Sequence, residues 1–147
     1  MSDLRELYQE IIIDHNRSPR NFYVMEDATQ HIDGYNPLCG DKVTVYLKVK
    51  DGIVEKASFQ GSGCAISVAS ASLMTESLIG KSVAEVEQLF EQFHHLMTSE
   101  SNNTTNLGKL QVLGGVRAYP SRIKCATLAW HTMHAALLEQ SKPVTTE

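Results

Sequence analysis

The sequence predicts a single globular domain in which a β-hairpin is followed by helices. A chain of 147 residues is long enough to bury a core, and its 42% hydrophobic and 20% charged residues are ordinary for such a domain. Apolar and polar residues alternate from Val43 to Val49, which is typical of a half-buried strand, whereas later segments have helical spacing. We expect residues 1–140 to form this domain and residues 141–147 a disordered tail.

The composition argues against several classes of protein. A net charge of -4 is not that of a general nucleic-acid binder. No stretch approaches the length of a membrane span, and the first residues lack the apolar run of a signal peptide, so the cytoplasm is the expected location. Three cysteines are an odd number, so a disulfide framework would leave one unpaired. In a reducing compartment the expected roles are metal ligation, thiol chemistry or burial.

The first predicted element is an amphipathic helix over residues 3–15. Its apolar residues recur at the spacing of one helical face, Ser2 suits the N-cap position, and Pro19 follows the end of the helix. We expect this helix only to pack on the core. A short strand is predicted over residues 29–35.

The alternating strand is predicted to form a hairpin with residues 53–59, where Glu55 alone breaks the apolar face. A two-residue loop at Asp51 and Gly52 would set valines opposite lysines. A three-residue loop over residues 50–52, with Gly52 in the left-handed position of a bulge, pairs apolar residues with each other and is preferred. The expected pairs are Val49 with Ile53, Val45 with Ala57 and Val43 with Phe59.

Extending this register brings potential metal ligands together. Cys39 and Asp41 are two residues apart, so in an extended chain they point to the same side. The register places Cys39 opposite Gly63 and therefore beside Cys64. Cys64 begins the next predicted helix, residues 65–79, where the positive end of the helix dipole favours its thiolate. That helix is small or apolar nearly all round, so we expect it to be buried.

A further helix is predicted after Gly80. Ser82 and Glu85 form a capping box for it, and the histidine pair 94–95 at its end is a favourable partner of the helix dipole. Residues 98–108 are polar and low in complexity and are expected to be a mobile loop. Residues 107–116 are expected to include a short helix.

The last predicted helix covers residues 121–140. Cys125 is placed in its first turn between Arg122 and Lys124, where the helix dipole and the two cations stabilise a thiolate. Two histidines of this helix are expected to face solvent: His131 and His134.

Cys39, Asp41, Cys64 and Cys125 together would supply three thiolates and one carboxylate. Such a set suits zinc or an iron–sulfur cluster. Structural zinc sites usually contain CxxC pairs, and this chain has none. Asp41 is a hard ligand among soft ones, so it holds a soft metal less firmly and indicates an exchanging site. A purely structural site remains the alternative.

Four motifs in order along the chain carry a family resemblance. They are Asp14-His15 with Pro19-Arg20-Asn21, then Asn36–Asp41, Gly61–Ser67 and Arg122–Trp130. With these motifs the chain resembles the IscU/NifU-type iron–sulfur scaffold proteins, and specifically the SufU branch. The resemblance implies an α+β fold, a small antiparallel β-sheet covered on one side by helices. It also implies that Cys39, Cys64 and Cys125 bind the metal or cluster, with Asp41 joining or tuning the site.

Two departures from the IscU pattern favour the SufU branch. Lys124 stands where IscU-type members have a histidine, and the chaperone-recognition segment Leu-Pro-Pro-Val-Lys is missing, so transfer through a dedicated chaperone is not expected. The insert over residues 99–115 is a further SufU-like feature. The resemblance implies tight zinc binding, sulfur acceptance from a SufS-type cysteine desulfurase, and Cys39 as the persulfide acceptor. Arg122 and Lys124 are predicted to tune the site electrostatically.

Three functions follow as expectations. The first is an iron–sulfur assembly protein that accepts sulfur and assembles a transient [2Fe-2S] or [4Fe-4S] cluster for apo recipient proteins. The second is a zinc-dependent sulfurtransferase that activates the desulfurase without carrying a cluster. The third is a non-catalytic, zinc-stabilised binding module. The first two share their ligands, so the sequence does not separate them.

Overall fold

In the described part of the chain, three consecutive antiparallel strands form the centre, and four helices lie on one side of them. The computed structural model describes residues 2–37, 40–98, 110, 113–114, 116, 120–138 and 144–145. Its elements are α1 (Ser2–Arg17), β1 (Gln30–Asn36), β2 (Asp41–Lys50), β3 (Ile53–Ser62), α2 (Ala65–Leu78), α3 (Val83–Thr98), α4 (Pro120–Leu137) and β4 (Val144–Thr145). In the sheet the strands lie in the order β3-β2-β1-β4. The predicted α+β class is therefore confirmed.

The turn between β2 and β3 corrects the predicted register. Lys50 pairs with Ile53, so the loop has two residues, Asp51 and Gly52, both with positive φ (56° and 75°). A turn with positive φ at both central residues matches the twist of the strands and is favoured in hairpins. The predicted three-residue loop was wrong.

A β-bulge explains how the two-residue loop still pairs apolar residues. Val49 pairs with Val54 but Lys48 pairs with Lys56, which leaves Glu55 as the extra residue on β3. The inward face of β3 therefore starts with the buried Val54 and not with Ile53, which is 39% exposed. Beyond the bulge the pairs differ from the expected ones: Leu47 with Ala57, Val45 with Phe59 and Val43 with Gly61.

Helices α2 and α4 cover the inner face of the sheet, while α1 packs on α2 and α3 packs on α4. The helix α2 is buried along most of its length, as predicted. Trp130 of α4 is fully buried, stacks on Phe93 of α3 at 4.2 Å between ring centroids, and donates to Ser70 of α2. One buried indole thus joins three helices. Among the described residues no helix is long and apolar enough to cross a membrane.

Glycine at position 34 allows α4 to lie directly on β1. A Cβ built at Gly34 would lie 2.0 Å from Oγ1 of Thr132 and 3.2 Å from a methyl group of Leu128. Thr132 itself is fully buried and donates to the carbonyl of Leu128. The backbone of β1 therefore meets the side chains of α4 with no room for a side chain of its own.

The C-terminal tail departs from the sequence prediction. Val144–Thr145 form a short strand that pairs in parallel with Gly34 and Tyr35 of β1, so these two residues are not disordered as expected. The rest of the predicted tail lies outside the described residues. So does the predicted loop over residues 99–108. Of residues 109–116, four are described, and Leu110, Leu113 and Val116 among them are buried.

Candidate metal centre

Three potential ligands meet at one end of the sheet. Asp41 is the first residue of β2, Cys64 is the residue that precedes α2, and Cys125 lies in the second turn of α4. The sequence prediction had placed Cys125 in the first turn, but α4 begins one residue earlier than expected, at Pro120. One carboxylate oxygen and the two sulfur atoms lie within 4.8 Å of one another. The hairpin pattern predicts the proximity of Asp41 and Cys64, whereas Cys125 is a candidate that the family resemblance adds to the site.

The Asp41 carboxylate is held by the N-terminus of α2. Its Oδ1 accepts the backbone N–H of Cys64 at 3.0 Å, and its Oδ2 lies 4.0 Å from the Cys64 sulfur. The cap residue Cys64 makes no side-chain capping bond, and its own backbone N–H donates instead to Asp41 of β2. Asp41 is only 1% exposed, and the helix dipole together with this charge-assisted bond stabilises its buried charge.

Gly63 makes this approach possible. A Cβ at position 63 would lie 2.7 Å from Oδ1 and 3.0 Å from Cγ of Asp41, and 3.2 Å from Oγ of Ser67. The first two distances are at or below the closest approach of real Cβ atoms. A glycine is therefore required for the carboxylate to reach the start of α2.

Two polar side chains contact the sulfur atoms, one from the buried interior and one from the solvent side. The Asn36 amide is buried and donates from Nδ2 to the Cys125 sulfur at 3.8 Å. The Arg122 guanidinium is exposed, and its hydrogen bond to Cys64, together with the charges of Cys64 and Cys125, raises the pKa of Arg122. A fixed cation therefore stands at the solvent side of the two thiols. The tuning role predicted for Lys124 stays a prediction, since no described side-chain contact joins it to the site.

Cys39, the fourth predicted ligand, lies outside the described residues. The residues around it are described. Asn36 and Asp41 pair as the last and first residues of their strands, and the Gly40 N–H donates to the Asn36 carbonyl at 2.8 Å. Gly40 has a positive φ of 73°, as the turn requires. The sequence Pro37–Gly40 therefore connects two residues that themselves belong to the site.

The motif at the end of α1 does not reach the metal centre. His15 Nδ1 and the Arg20 backbone N–H both contact the buried Ser72 hydroxyl of α2, at 2.7 and 2.8 Å. Asn21 donates to Thr75, one turn further along α2. These contacts fasten α1 and its following loop to α2, which is a structural role.

The histidines of α3 and α4 also lie elsewhere. His131 is half-buried against Phe90 and His94, so the prediction that it faces solvent was wrong. Desolvation, followed by the charges of His94 and His134, lowers the pKa of His131. His134 is also half-buried and stacks on Phe90 at 4.3 Å between ring centroids. These rings form a packing contact between α3 and α4.

The model of the family described as "NifU-like N terminal domain" matches residues 7–139. The chain belongs to this family. The match covers nearly all of the described structure and confirms the resemblance to IscU/NifU-type proteins.

Relatives within this family have two kinds of name. The iron-sulfur cluster assembly scaffold protein IscU of Thermotoga maritima is 41% identical over 93% of this chain and 96% of its own length. The zinc-dependent sulfurtransferase SufU of Bacillus subtilis is 38% identical, with 95% of each chain covered. The crystal structure of a putative SUF-system scaffold protein from Fervidobacterium islandicum AW-1 aligns with a TM-score of 0.84 at 32% identity, over 90% of this chain and 97% of that one.

The donor set fits the metals that such names imply. Tetrahedral zinc has Zn–S bonds of about 2.3 Å, which puts two sulfur ligands about 3.8 Å apart. The described ligand atoms lie within 4.8 Å of one another. Side-chain rotations that move these atoms by about 1 Å would bring them to the separation that zinc requires. Cys64 and Cys125 supply the two sulfur atoms of the set. Two thiolates and a carboxylate leave one position of a tetrahedron for a fourth ligand.

Proposed function

We propose that this chain is an iron–sulfur cluster assembly protein of the SUF type that accepts persulfide sulfur at Cys39, beside a metal held by Asp41, Cys64 and Cys125. The observation that carries the proposal is the convergence of one buried carboxylate and two cysteine sulfurs at the start of α2. The relative at 41% identity is named as a cluster assembly scaffold and the relative at 38% as a zinc-dependent sulfurtransferase, and the proposed function combines both activities.

Cys39 is the proposed acceptor because of its position in the sequence. Two peptide bonds separate it from Asp41, and consecutive Cα atoms are about 3.8 Å apart, so connectivity alone keeps residue 39 near the site. Its thiolate attacks the outer sulfur of a persulfide on the desulfurase. The S–S bond of the donor breaks, the donor cysteine leaves as a thiolate, and Cys39 now carries the persulfide, with no net oxidation or reduction.

The other site residues have distinct proposed roles. A bound zinc ion supplies positive charge that keeps its ligand sulfurs deprotonated. Arg122 presents a permanent cation to the same sulfurs from the solvent side, where an incoming persulfide is anionic. Asp41 is a hard ligand and would hold a soft metal weakly, so a metal held here would leave the Cys39 thiolate more available for sulfur acceptance.

The partners follow from this chemistry. The proposed sulfur donor is a SufS-type cysteine desulfurase, and the proposed receivers of sulfur or of a cluster are apo iron–sulfur proteins. In this reading a [2Fe-2S] or [4Fe-4S] cluster is cargo that the chain assembles and releases. We place the work in the cytoplasm, where a reducing environment keeps the thiols free.

A second candidate function is a zinc-dependent sulfurtransferase that stimulates the desulfurase and never carries a cluster. The 38% identity to the Bacillus subtilis protein of that name favours it. A third, a zinc-stabilised binding module, would use the same ligands with no sulfur transfer.

One preparation separates these functions. The protein is purified without oxygen, supplied with iron, cysteine and a SufS-type desulfurase, and assayed for bound metal, visible absorbance and sulfide production. We expect stimulated desulfurase activity with cluster absorbance. A colourless, zinc-loaded protein that stimulates the desulfurase would refute the scaffold function and leave the sulfurtransferase. Neither stimulation nor a cluster would leave only the binding module.

Cys39→Ser tests the acceptor. We expect loss of persulfide labelling from the desulfurase with a circular dichroism spectrum like that of the unsubstituted protein. Cys125→Ser is the comparison, because Cys125 is fully buried and its loss should impair metal binding in addition. Persulfide labelling retained in Cys39→Ser would refute the assignment of the acceptor.

A further inference from the structure

Asn36 is a buried polar residue at the metal centre to which the proposed function assigns no role. It is the last residue of β1 and only 1% exposed. Its side-chain Nδ2 lies 3.8 Å from the sulfur of Cys125, a residue 89 positions away on α4. Because this buried amide is directed at a ligand sulfur, Asn36 belongs to the metal centre as well as to β1.

The backbone of the same residue reaches the other side of the centre. The Asn36 carbonyl accepts the N–H of Gly40 at 2.8 Å, and Asn36 pairs with Asp41 across the strands. Asn36 therefore contacts one ligand with its side chain and closes the loop that carries Cys39 with its backbone. A substitution of Asn36 removes the side-chain contact to Cys125 and keeps the backbone carbonyl that accepts the Gly40 N–H, so the side-chain contact can be tested by itself.

We propose that Asn36 is a positioning residue that orients the Cys125 sulfur and, through an N–H···S hydrogen bond, withdraws electron density from it when it is a metal-bound thiolate. This inference rests on the proposed function, since it requires metal at Asp41, Cys64 and Cys125. Groups that hydrogen-bond to metal ligands typically change metal affinity by about 10–100-fold. Hydrogen bonds to ligand sulfurs also help to set the reduction potential of iron–sulfur clusters.

The arrangement makes the two cysteines unequal. Cys125 is fully buried and receives its bond from a neutral amide, whereas Cys64 is half-buried and faces the exposed guanidinium of Arg122. The amide cannot be displaced by water at its buried position, so its bond to Cys125 persists while the solvent side of the centre is open. Cys125 is thus the ligand held in place when Cys39 exchanges.

The test compares Asn36→Leu and Asn36→Ala with Ser70→Ala. Leucine has the branched shape of asparagine without its N–H. Alanine is smaller and also lacks the N–H, so it serves as the test variant if leucine cannot be accommodated. Ser70 is an equally buried hydrogen-bonding side chain of α2, which donates to the Ala126 carbonyl and accepts from Trp130. Its loss therefore measures a packing defect next to Cys125 that leaves the sulfur contact alone.

Two readouts are used besides folded stability. Cobalt(II) replaces zinc, and the energy of the thiolate-to-cobalt charge-transfer band is recorded; zinc affinity is measured by competition with a chromophoric chelator. We expect both Asn36 variants to shift the band to lower energy and to bind zinc about 10–100-fold more weakly, while Ser70→Ala keeps the band position.

Each outcome decides the inference. A band that stays in place in a folded, metal-binding Asn36 variant overturns it and leaves the proposed function standing. Failure of the unsubstituted protein to bind cobalt or zinc overturns the proposed metal site, and the inference with it. If both Asn36 variants fail to fold while Ser70→Ala folds, the role of Asn36 is structural and the inference is wrong.

Discussion

Gly63→Ala is the sharpest perturbation of the metal centre that substitutes none of its ligand residues. The new methyl group would lie 2.7 Å from Oδ1 of Asp41, whereas ordinary contact begins at 3.4 Å. The carboxylate must therefore move by about 0.7 Å, the difference between these distances. That movement lengthens its 3.0 Å bond to the Cys64 N–H and displaces it as a metal ligand.

The magnitude follows from this bond. A hydrogen bond to a charged group contributes about 1.5–3 kcal/mol, and the entropy effect of Gly→Ala on the unfolded chain offsets about 0.4–1 kcal/mol. We expect the metal-free variant to lose about 1–2 kcal/mol in free energy of unfolding. For metal binding we expect a loss of at least about tenfold in zinc affinity, since the ligand itself is displaced.

The assay is urea unfolding of the metal-free protein together with zinc competition, and Gly52→Ala is the matched control. Gly52 has a φ of +75° and open space around its Cβ position, far from the site in the β2–β3 turn. A left-handed alanine costs about 1–2 kcal/mol, a similar loss of stability, with no contact to any ligand. Unchanged zinc affinity in a folded Gly63→Ala would refute the reasoning, as would an equal affinity loss in Gly52→Ala.

Three further predictions follow. Asp41→Ala should slow transfer of metal or cluster to a chelator or acceptor, because the hard ligand is lost; faster transfer would contradict this role. Gly34→Ala should lower the free energy of unfolding by more than about 2 kcal/mol, because its methyl group overlaps Thr132, and Thr132→Ala should restore part of the loss. Hydrogen bonds from Ser82 lower the pKa of Glu85, so its carboxylate stabilises the fold above its ordinary pKa and this stabilisation is lost as the pH falls through the lowered value. Thermal unfolding of Glu85→Gln should accordingly depend less on acid pH, and an unchanged pH profile would count against the capping box.

The sequence correctly predicted that Asp41 and Cys64 lie close together, although the predicted register of the β2–β3 hairpin was wrong. The actual pairing differs from the predicted one by two residues, and side chains in a strand alternate with a period of two. Beyond the bulge an error of two therefore kept each residue on its expected face, whereas before it Val54, and not Ile53, faces inward. Glu55 was noted as an exception to the apolar pattern, and it is the bulge residue that makes the two-residue loop compatible with that pattern.

Contacts between distant segments could not be predicted from local patterns. The bond between Asn36 and Cys125 depends on how α4 lies across β1, and no periodicity within either segment reports that angle. The same is true of His131, whose environment is set by Phe90 on α3. The pairing of β4 with β1 involves two residues on each side, too few for a pattern to be visible.

The structure also gives a physical reason for the lability that the ligand types predict. The Asp41 carboxylate accepts the Cys64 N–H and lies at the positive end of α2, and neither contact depends on a metal. The metal-free state is therefore stabilised at the same ligand that binds a soft metal most weakly. Release of a metal from Asp41 leaves its carboxylate hydrogen-bonded, which lowers the free-energy cost of exchange at this ligand.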